Sequence, residues 1–293
     1  MSLDPQHAAT VGAKTVVVMP VGPKCQLDFV ADTIESIRYY APLARIIVVD
    51  DSLRGMGVEL ANRYPLTVLG ARATGVFGGL YLNLSDGFEE ALTQPFRILV
   101  RLDTDALIAG SDFEAKAIHC FDADSRLGSL GSFRIGYDTI GIRDAGWARR
   151  RLLIYFATHS LTNPRAARVV ATQLVRARAH GYKLGDSIQG GAAVYRQEAV
   201  AALKTSGLLG RAEFAGIGLQ EDYVFGLCLL SIGYHLGEFG NKFDDLPMGV
   251  DWGTLPATPE ELMRLGKSIV HSTKRFGTLD ERAIRAEFRA ARQ

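Results

Sequence analysis

The stretch FRILVRLDTDA, from Phe96 to Ala106, joins a nearly continuous apolar run to a pair of aspartates. An apolar run of this length predicts a buried strand that ends at Leu102. Side chains two residues apart on an extended chain point to the same face, so we expect Asp103 and Asp105 to lie side by side. Two neighbouring carboxylates repel each other, and a hard divalent cation such as Mg²⁺ or Mn²⁺ relieves that repulsion. The alternative is a turn in which the aspartates cap backbone groups.

The chain before this stretch alternates between strand-like and helix-like patterns. Apolar runs predict strands at Thr15–Met19 (TVVVM), Arg45–Asp51 (RIIVVDD) and Leu66–Leu69. Helical spacing of apolar residues predicts helices between the strands, over Asp28–Ala41, Gly57–Tyr64 and Tyr81–Leu92. This alternation predicts an α/β fold with a Rossmann-type, mostly parallel sheet and helices on both faces. Ligands of such sheets bind beyond the carboxyl ends of the strands, where the aspartates lie.

The alternation weakens after residue 110. We therefore expect two halves, 1–110 and 111–293, inside one compact unit, with the second half forming a region appended to the sheet. Ala145–Lys183 is rich in arginine and has a helical pattern. The C-terminal tail is amphipathic, and Thr278 with Glu281 matches a capping box at the start of a last helix.

Composition and charge narrow the classes of function. The chain has 293 residues and a net charge of +1, which gives no overall attraction for nucleic acid. Cys25, Cys120 and Cys228 are far apart and form no C-x-x-C pair, which favours a reducing compartment. The longest apolar run, Tyr223–Ile232, is too short to span a bilayer. We expect a cytoplasmic protein without an integral membrane segment, with peripheral membrane attachment as an alternative; the composition predicts no oligomeric state.

Two further acidic pairs are candidates for ligand contacts. Asp50 and Asp51 end the second strand, where a carboxylate can accept a hydrogen bond from a base or ribose. The alternative for this pair is an Asx-turn before Ser52. Glu221 and Asp222 open a predicted helix, where acids also stabilise the helix dipole without any catalytic role.

Several motifs in this order resemble the GT-A glycosyltransferases, especially the family-2-type enzymes. The resemblance extends from Thr15 to Tyr234 and depends on five segments: VVVMPVG, IIVVDDS, LVRLDTDA, GGAAVYRQEAV and QEDYVFGLCLLSIGY. It implies that residues 1–110 form the nucleotide-sugar-binding half and that residues 111–293 bind the acceptor and carry the catalytic base. The chain has no Q-x-x-R-W segment, which argues against a processive polymer synthase.

The resemblance also implies a role for individual residues. Asp103 and Asp105 match the metal-binding D-x-D, and His271 matches a late histidine that joins the ion, Mn²⁺ or Mg²⁺. Asp222 matches the general base of inverting members, with Glu221 as second candidate. The remaining donor contacts fall on strand ends, on loops and on a basic residue that can hold phosphate: Pro20, Val21, Gly22, Asp50, Asp51, Asp103, Thr104, Gly190, Gly191 and Lys274.

The activity implied is transfer of a sugar from a nucleoside-diphosphate sugar to a hydroxyl group. UDP- and GDP-sugars are the expected donors, and a small molecule, a glycan or a lipid-linked hydroxyl is the expected acceptor. With Asp222 as base the transfer inverts the anomeric carbon. A late metal-binding histidine also occurs in retaining enzymes of this type, so stereochemistry stays open.

Other nucleotide-binding classes fit the sequence less well. Gly70–Gly75 has P-loop spacing, but Val76 and Phe77 stand where lysine and serine or threonine should follow. No G-x-G-x-x-G follows the first strand, which argues against a dinucleotide-binding fold. A sugar nucleotidyltransferase would carry a glycine-rich basic loop there, and this chain has only Gly22 and Lys24. A non-catalytic nucleotide-sugar-binding protein remains an alternative, which would not depend on the proposed base.

Overall fold

The computed structural model of the chain describes residues 14–72, 78–133, 146–240 and 245–292, and of Trp147 it describes the backbone. The polar segment 1–13 and the part of the glycine-rich loop that bears on the P-loop comparison, 73–77, lie outside the described residues.

A seven-stranded sheet forms the centre of the molecule. In the described ranges the strands are β1 (Thr15–Val21), β2 (Arg45–Asp50), β3 (Thr67–Gly70), β4 (Ile98–Leu102), β5 (Ala106–Ile108), β6 (Leu127–Gly131), β7 (Ala192–Arg196), β8 (His235–Glu238), β9 (Met248–Val250), β10 (Ile269–His271), β11 (Arg275–Phe276) and β12 (Leu279–Asp280). The order in the central sheet is β3-β2-β1-β4-β7-β6-β8. Only β7 runs antiparallel to its neighbours, so the predicted mostly parallel sheet is confirmed.

Helices cover both faces of this sheet. They are α1 (Leu27–Tyr40), α2 (Met56–Arg63), α3 (Gly78–Ala91), α4 (Phe113–Ala123), α5 (Gly146–Thr162), α6 (Pro164–Ala179), α7 (Gln197–Thr205), α8 (Ala212–Ala215), α9 (Glu221–Ser231), α10 (Pro259–Arg264) and α11 (Glu281–Ala290). The central sheet and its helices take residues from both sides of position 110.

Alternate residues of β1 enter different cores, as a strand buried on both faces requires. Val16 and Val18 pack in the core that contains Phe88 of α3, whereas Val17 packs in the core that contains Ile34 of α1. Each of these side chains is at most 1% exposed. Full burial of one such side chain stabilises the fold by roughly 1.5–3 kcal/mol. Apolar runs in the sequence therefore indicate buried strands.

The last helix begins later than the predicted capping box. Its N-cap is Asp280, whose carboxylate accepts a hydrogen bond from the Ala283 amide at 2.8 Å. The prediction that Thr278 and Glu281 form the cap is therefore wrong. The physical reason is that the Glu281 carboxylate accepts instead from Arg285, at 2.9 Å.

A second sheet, of order β5-β10-β9, extends the fold at the end of β4. Three residues separate β4 from β5, and β10 pairs antiparallel with β5 so that His271 lies opposite Ala106. Strand β9 pairs with the other edge of β10. This pairing places the late histidine next to the acidic segment 103–105.

A buried ion cluster ties α11 to α1. The side chains of Arg285 and Asp32 are each 1% exposed, and Nη1 of Arg285 donates to Oδ2 of Asp32 at 3.0 Å. Arg289 and Arg292 bind the other carboxylate oxygen of Asp32. Burial alone would raise the pKa of Asp32, but the hydrogen bonds and charges of Arg292 and Arg285 hold it below its ordinary value.

We expect the substitution Asp32→Asn to lower the free energy of unfolding by about 3–5 kcal/mol at neutral pH, because the Arg285 charge stays buried without its partner. A matched control is Asp28→Asn, which removes an exposed carboxylate from the first turn of the same helix. That change should cost less than about 1 kcal/mol. Urea unfolding of both variants measures the difference.

The lowered pKa of Asp32 also predicts a pH dependence. The stabilisation by the ionised carboxylate is present above the unfolded-state pKa of about 4 and is lost as the pH falls through the lower folded-state value. The stability difference between wild type and Asp32→Asn should therefore shrink below about pH 4. A difference that is constant down to strongly acidic pH would contradict the ion-pair assignment.

Candidate functional site

Asp103 and Asp105 lie in a turn between two strands. Strand β4 ends at Leu102 and β5 begins at Ala106, whose amide donates to the Asp103 carbonyl at 3.1 Å. One ligand atom each from Asp103, Asp105 and His271 lie within 4.8 Å of one another. The two carboxylates thus come together in a turn rather than on an extended strand.

The backbone of this turn is anchored by side chains from two helices. The Thr104 carbonyl accepts hydrogen bonds from Oγ1 of Thr33 in α1, at 3.0 Å, and from Nη2 of Arg285 in α11, at 2.6 Å. The Thr104 hydroxyl lies 3.1 Å from Sγ of Cys25. The Thr104 carbonyl therefore attaches the turn to α1 and α11.

Residues next to the ends of neighbouring strands form hydrogen bonds with the backbone of the two aspartates. The Asp103 amide donates to the Gly191 carbonyl at 2.8 Å, which joins the turn to the start of β7. The Asp105 carbonyl accepts from the amide of Thr273 at 2.8 Å and from its hydroxyl at 3.0 Å. With its three carbonyls and the Asp103 amide hydrogen-bonded, the turn has little freedom to separate the carboxylates.

Asp103 shares a buried guanidinium with Glu221. Arg101 is 3% exposed, and its Nη2 lies 2.9 Å from Oδ1 of Asp103 and 2.8 Å from Oε1 of Glu221. Oδ1 of Asp103 is close to that nitrogen but has no hydrogen bond of adequate geometry within the described residues. Desolvation raises the pKa of Asp103 to about 6, against the attraction of Arg101. The Asp103 carboxylate, which lies beside a second carboxylate, can supply an oxygen ligand to a cation.

Asp105 is the best-paired carboxylate of the group. Its Oδ2 accepts a hydrogen bond from the Ser272 hydroxyl at 2.7 Å and lies 3.0 Å from Nζ of Lys274 and 3.4 Å from Nε2 of His271. Burial would raise the pKa of Asp105, but His271, Ser272 and Lys274 hold it well below its usual range. The Lys274 side chain is 61% exposed, so its charge can also meet an anion in solution.

The orientation of His271 suits metal binding. Nδ1 lies 3.0 Å from the backbone carbonyl of Asp251 and, as the donor in that contact, carries a proton. The other ring nitrogen, Nε2, faces Asp105 and is the one that would supply a lone pair to a cation. The two carboxylates suit Mn²⁺ or Mg²⁺, and the imidazole offers a third ligand atom for a divalent cation.

Gly191 leaves the space that the His271 ring occupies. A Cβ atom at Gly191 would lie 2.4 Å from Cε1 and Nδ1 of the ring, and the residue has φ of +101°. Both observations require glycine here. At Gly190, by contrast, the nearest atom to an added Cβ would be Nη1 of Arg101, at 3.5 Å.

These residues line one pocket of about 830 Å³, a size typical of small-molecule sites. The pocket lies at the carboxyl end of β4, where the sequence pattern predicted ligand binding. Eight of the predicted site residues line it: Asp103, Asp105, Gly190, Gly191, Glu221, Asp222, His271 and Lys274.

The two acids at the start of α9 differ in environment. Glu221 is 6% exposed and paired with Arg101, whereas Asp222 is half-buried and accepts a hydrogen bond from the Tyr223 amide at 2.8 Å. Both carboxylates border the space beside Gly190, because an added Cβ there would lie 3.8 Å from Oδ2 of Asp222 and from Oε1 of Glu221. Asp222 is therefore the more accessible carboxylate of the pair.

The predicted site residues at the ends of β1 and β2 are not among the described residues that line this pocket: Pro20, Val21, Gly22, Asp50 and Asp51. Thr104 is not among them either. The Asp50 carboxylate accepts hydrogen bonds from the amides of Ser52 and Gly57, both at 2.8 Å. The Asx-turn that the sequence left as an alternative is therefore present at Asp50.

Sequence reasoning missed several pocket residues. Arg101 had a signal, since an arginine inside an apolar strand must find a buried partner. Trp252, which is 77% exposed at the pocket, had none, because it lies outside any periodic pattern. The other missed polar residues that line the pocket are Gln189, Gln220 and Asp251.

Comparisons with known proteins leave the family unassigned. No protein-family description matches the sequence, and no curated protein matches it. Among the helices in the described ranges, none combines the length and apolar character needed to span a bilayer.

Solved structures show a distant similarity of fold. They include a mannosyltransferase from Pyrobaculum calidifontis in complex with GDP-Man and Mn²⁺ (14% identity, 80% of this chain, 56% of that chain, TM-score 0.45). They also include a glycosyltransferase involved in glycosylation of the major capsid of PBCV-1 (11%, 94%, 98%, 0.47) and a cytidylyltransferase from Leptospira borgpetersenii (11%, 80%, 78%, 0.41). The chain thus spans little more than half the length of the mannosyltransferase. At these values the similarity assigns no activity.

We expect Gly191→Ala to weaken Mn²⁺ binding about 10- to 100-fold, the usual effect of displacing the support of a metal ligand. The added methyl group would overlap the His271 ring. Titration of the free protein with Mn²⁺, followed by electron paramagnetic resonance, measures the affinity.

Gly190→Ala is the matched control for this substitution. It adds the same methyl group one residue earlier, at ordinary contact distance, and should leave Mn²⁺ affinity within about threefold of wild type. Equal Mn²⁺ affinity of the two folded variants would show that His271 does not bind the ion.

Proposed function

We propose that this protein is a metal-dependent glycosyltransferase. It moves a sugar from a UDP- or GDP-sugar to a hydroxyl acceptor, inverts the anomeric carbon and acts in the cytoplasm. The observation that carries this proposal is the pocket in which a metal-binding group, an exposed lysine and an accessible carboxylate lie together: Asp103, Asp105, His271, Lys274 and Asp222.

The donor diphosphate binds at the metal-binding group. A divalent cation held by Asp103, Asp105 and His271 would act as a Lewis acid toward the leaving diphosphate. The Lys274 ammonium, which is exposed and 3.0 Å from Asp105, adds a second positive charge for the phosphate oxygens. Both features favour the diphosphate most as its negative charge grows during transfer.

The nucleoside extends from the diphosphate along the sheet edge toward β1 and β2. Strand β1 pairs with β4 on one side and β2 on the other, so the three carboxyl ends are adjacent. Pro20–Gly22 would border the nucleoside there. Asp50 or Asp51 would contact the base, although the Asp50 carboxylate already accepts two hydrogen bonds within its own turn.

Asp222 is the proposed general base. Its carboxylate borders the open space at Gly190, where an acceptor hydroxyl can approach the donor sugar. It would accept the hydroxyl proton as that oxygen attacks the anomeric carbon. Glu221 has a positioning role in this scheme, because its bond to Arg101 fixes the start of α9 against β4.

The acceptor side of the pocket offers an aromatic surface. Trp252 lines the pocket and is largely exposed, so its ring can pack against the apolar face of a sugar or another acceptor. This contact supports a hydroxyl acceptor with a ring or hydrocarbon portion.

Donor binding is tested by thermal unfolding with UDP-, GDP-, ADP- and TDP-sugars, each with Mn²⁺ and with EDTA. A ligand at a hundredfold its Kd stabilises the native state by roughly 2.7 kcal/mol, enough to raise Tm by several degrees. We expect a shift with UDP- or GDP-sugars that requires Mn²⁺ and is absent in Asp105→Ala. The absence of a shift with every donor would overturn the proposal.

The role of Asp222 is tested by the substitution Asp222→Asn. With the donor that gives the shift, we expect release of nucleoside diphosphate in the presence of hydroxyl acceptors to fall by 10²–10⁴-fold, the usual contribution of a general base. The metal-dependent Tm shift should remain.

The matched control is Asp122→Asn, which alters an exposed carboxylate paired with Arg97 on the surface. It should keep both the shift and the turnover. If Asp222→Asn turned over donor at the wild-type rate, the base would lie elsewhere.

A further inference from the structure

A second functional feature lies on helices α5 and α6 and the turn that follows them, residues 146–184, which we call the basic hairpin. This segment contains no acidic residue and eight cationic ones: Arg149, Arg150, Arg151, Arg165, Arg168, Arg176, Arg178 and Lys183. All eight are exposed. Since the whole chain has a net charge of +1, the remainder carries −7. The positive charge is therefore concentrated on one surface element.

The same hairpin exposes large aliphatic side chains. Nine large hydrophobic residues are exposed in the part of the chain that the structure describes, and four of them lie here: Leu153 (64%), Ile154 (50%), Leu161 (90%) and Val175 (70%). The inner side of the hairpin is already packed, because Leu152 and Tyr155 are buried in the core. The hairpin thus has exposed apolar side chains in addition to those that it buries in the core.

An apolar cavity of about 230 Å³ opens within the hairpin. Its apolar walls come from Leu152, Leu153, Phe156, Leu174, Tyr182 and Leu184. Arg149 and Arg178 complete the lining, one from each helix. Its volume is below the usual range for a whole small-molecule ligand, so it suits one hydrocarbon segment of a larger anionic amphiphile.

The charge and the exposed apolar side chains of the basic hairpin together indicate the class of its partner. A basic surface with exposed aliphatic side chains matches the interface of an anionic bilayer, where phosphates lie above hydrocarbon. Nucleic-acid surfaces combine basic residues with exposed aromatic rings for base stacking. The exposed large hydrophobic residues of the described hairpin are aliphatic, and Tyr155 and Tyr182 are buried.

We propose that the basic hairpin is a docking surface for an anionic lipid bilayer. The arginines pair with lipid phosphates, the exposed aliphatic side chains enter the interface, and an acyl chain segment occupies the cavity. Arg149 and Arg178 hold the phosphate of the lipid whose chain enters there. This contact is independent of the sugar-donor pocket.

The test is co-sedimentation of the full-length protein with vesicles of phosphatidylcholine, with or without phosphatidylglycerol, in EDTA and without donor. We expect binding to the phosphatidylglycerol vesicles that falls at high salt, where surface charges are screened. Arg149→Gln with Arg178→Gln should weaken binding about 10- to 30-fold, since each cation at such a surface contributes roughly a factor of five.

A matched pair controls for net charge. Arg126→Gln with Arg264→Gln removes two exposed arginines from other surfaces and should leave vesicle binding within about twofold of wild type. Equal binding of the two double variants would overturn the proposal, because only overall charge would then matter.

A second pair tests the apolar contact. Leu153→Gln with Leu161→Gln should weaken binding about 5- to 10-fold, whereas Leu43→Gln with Val58→Gln, exposed aliphatic residues elsewhere, should not. These positions are exposed, so the fold is retained, as the Tm of each variant can show. Wild-type binding by the Leu153/Leu161 variant would overturn the proposal. The proposal would also be overturned if the wild-type protein did not bind the vesicles, or if it bound a polynucleotide but not the vesicles.

Discussion

The buried guanidinium of Arg285 is the contact on which the candidate site depends. It donates to Asp32 and Thr33 of α1, to Glu281 of its own helix and to the carbonyl of Thr104 in the acidic turn. Arginine can do this because it presents five donors in a rigid plane. The last helix of the chain, the first helix and the turn after β4 are therefore fixed to one another, and the turn cannot open to separate its aspartates.

A second buried arginine balances charge on the other side of the turn. Arg101 pairs with Asp103 and Glu221, and Lys274 reaches Asp105 from the surface. Burial of so many carboxylates is costly unless each has a partner. The partners are unevenly shared, since one buried oxygen of Asp103 has no hydrogen bond in the described part of the chain. A divalent cation bound by Asp103, Asp105 and His271 would add positive charge beside these carboxylates.

The sequence predicted those parts that depend on local pattern. Buried strands such as Arg45–Asp50 can be predicted because their central residues, here 46–49, must be apolar, and the D-T-D segment stands out because it ends such a strand. Contacts between segments that are distant in the sequence produce no pattern in the local sequence. The contact between Arg285 and Thr104, the ring of His271 above Gly191 and the use of Asp50 within its own turn all depend on tertiary structure. His271 itself was found through family resemblance, not through spacing.

The two sides of the pocket are built from different kinds of structure, and this difference bears on specificity. The metal-binding group lies on strand ends and on a turn whose backbone is hydrogen-bonded to its neighbours, so its geometry is fixed. Trp252 lies on a loop, and Asp222 lies in the first turn of α9. Loops on a rigid scaffold can change without loss of the fold. We therefore expect the diphosphate site to be set by the fold, and the choice of acceptor to be set by the loop that carries Trp252.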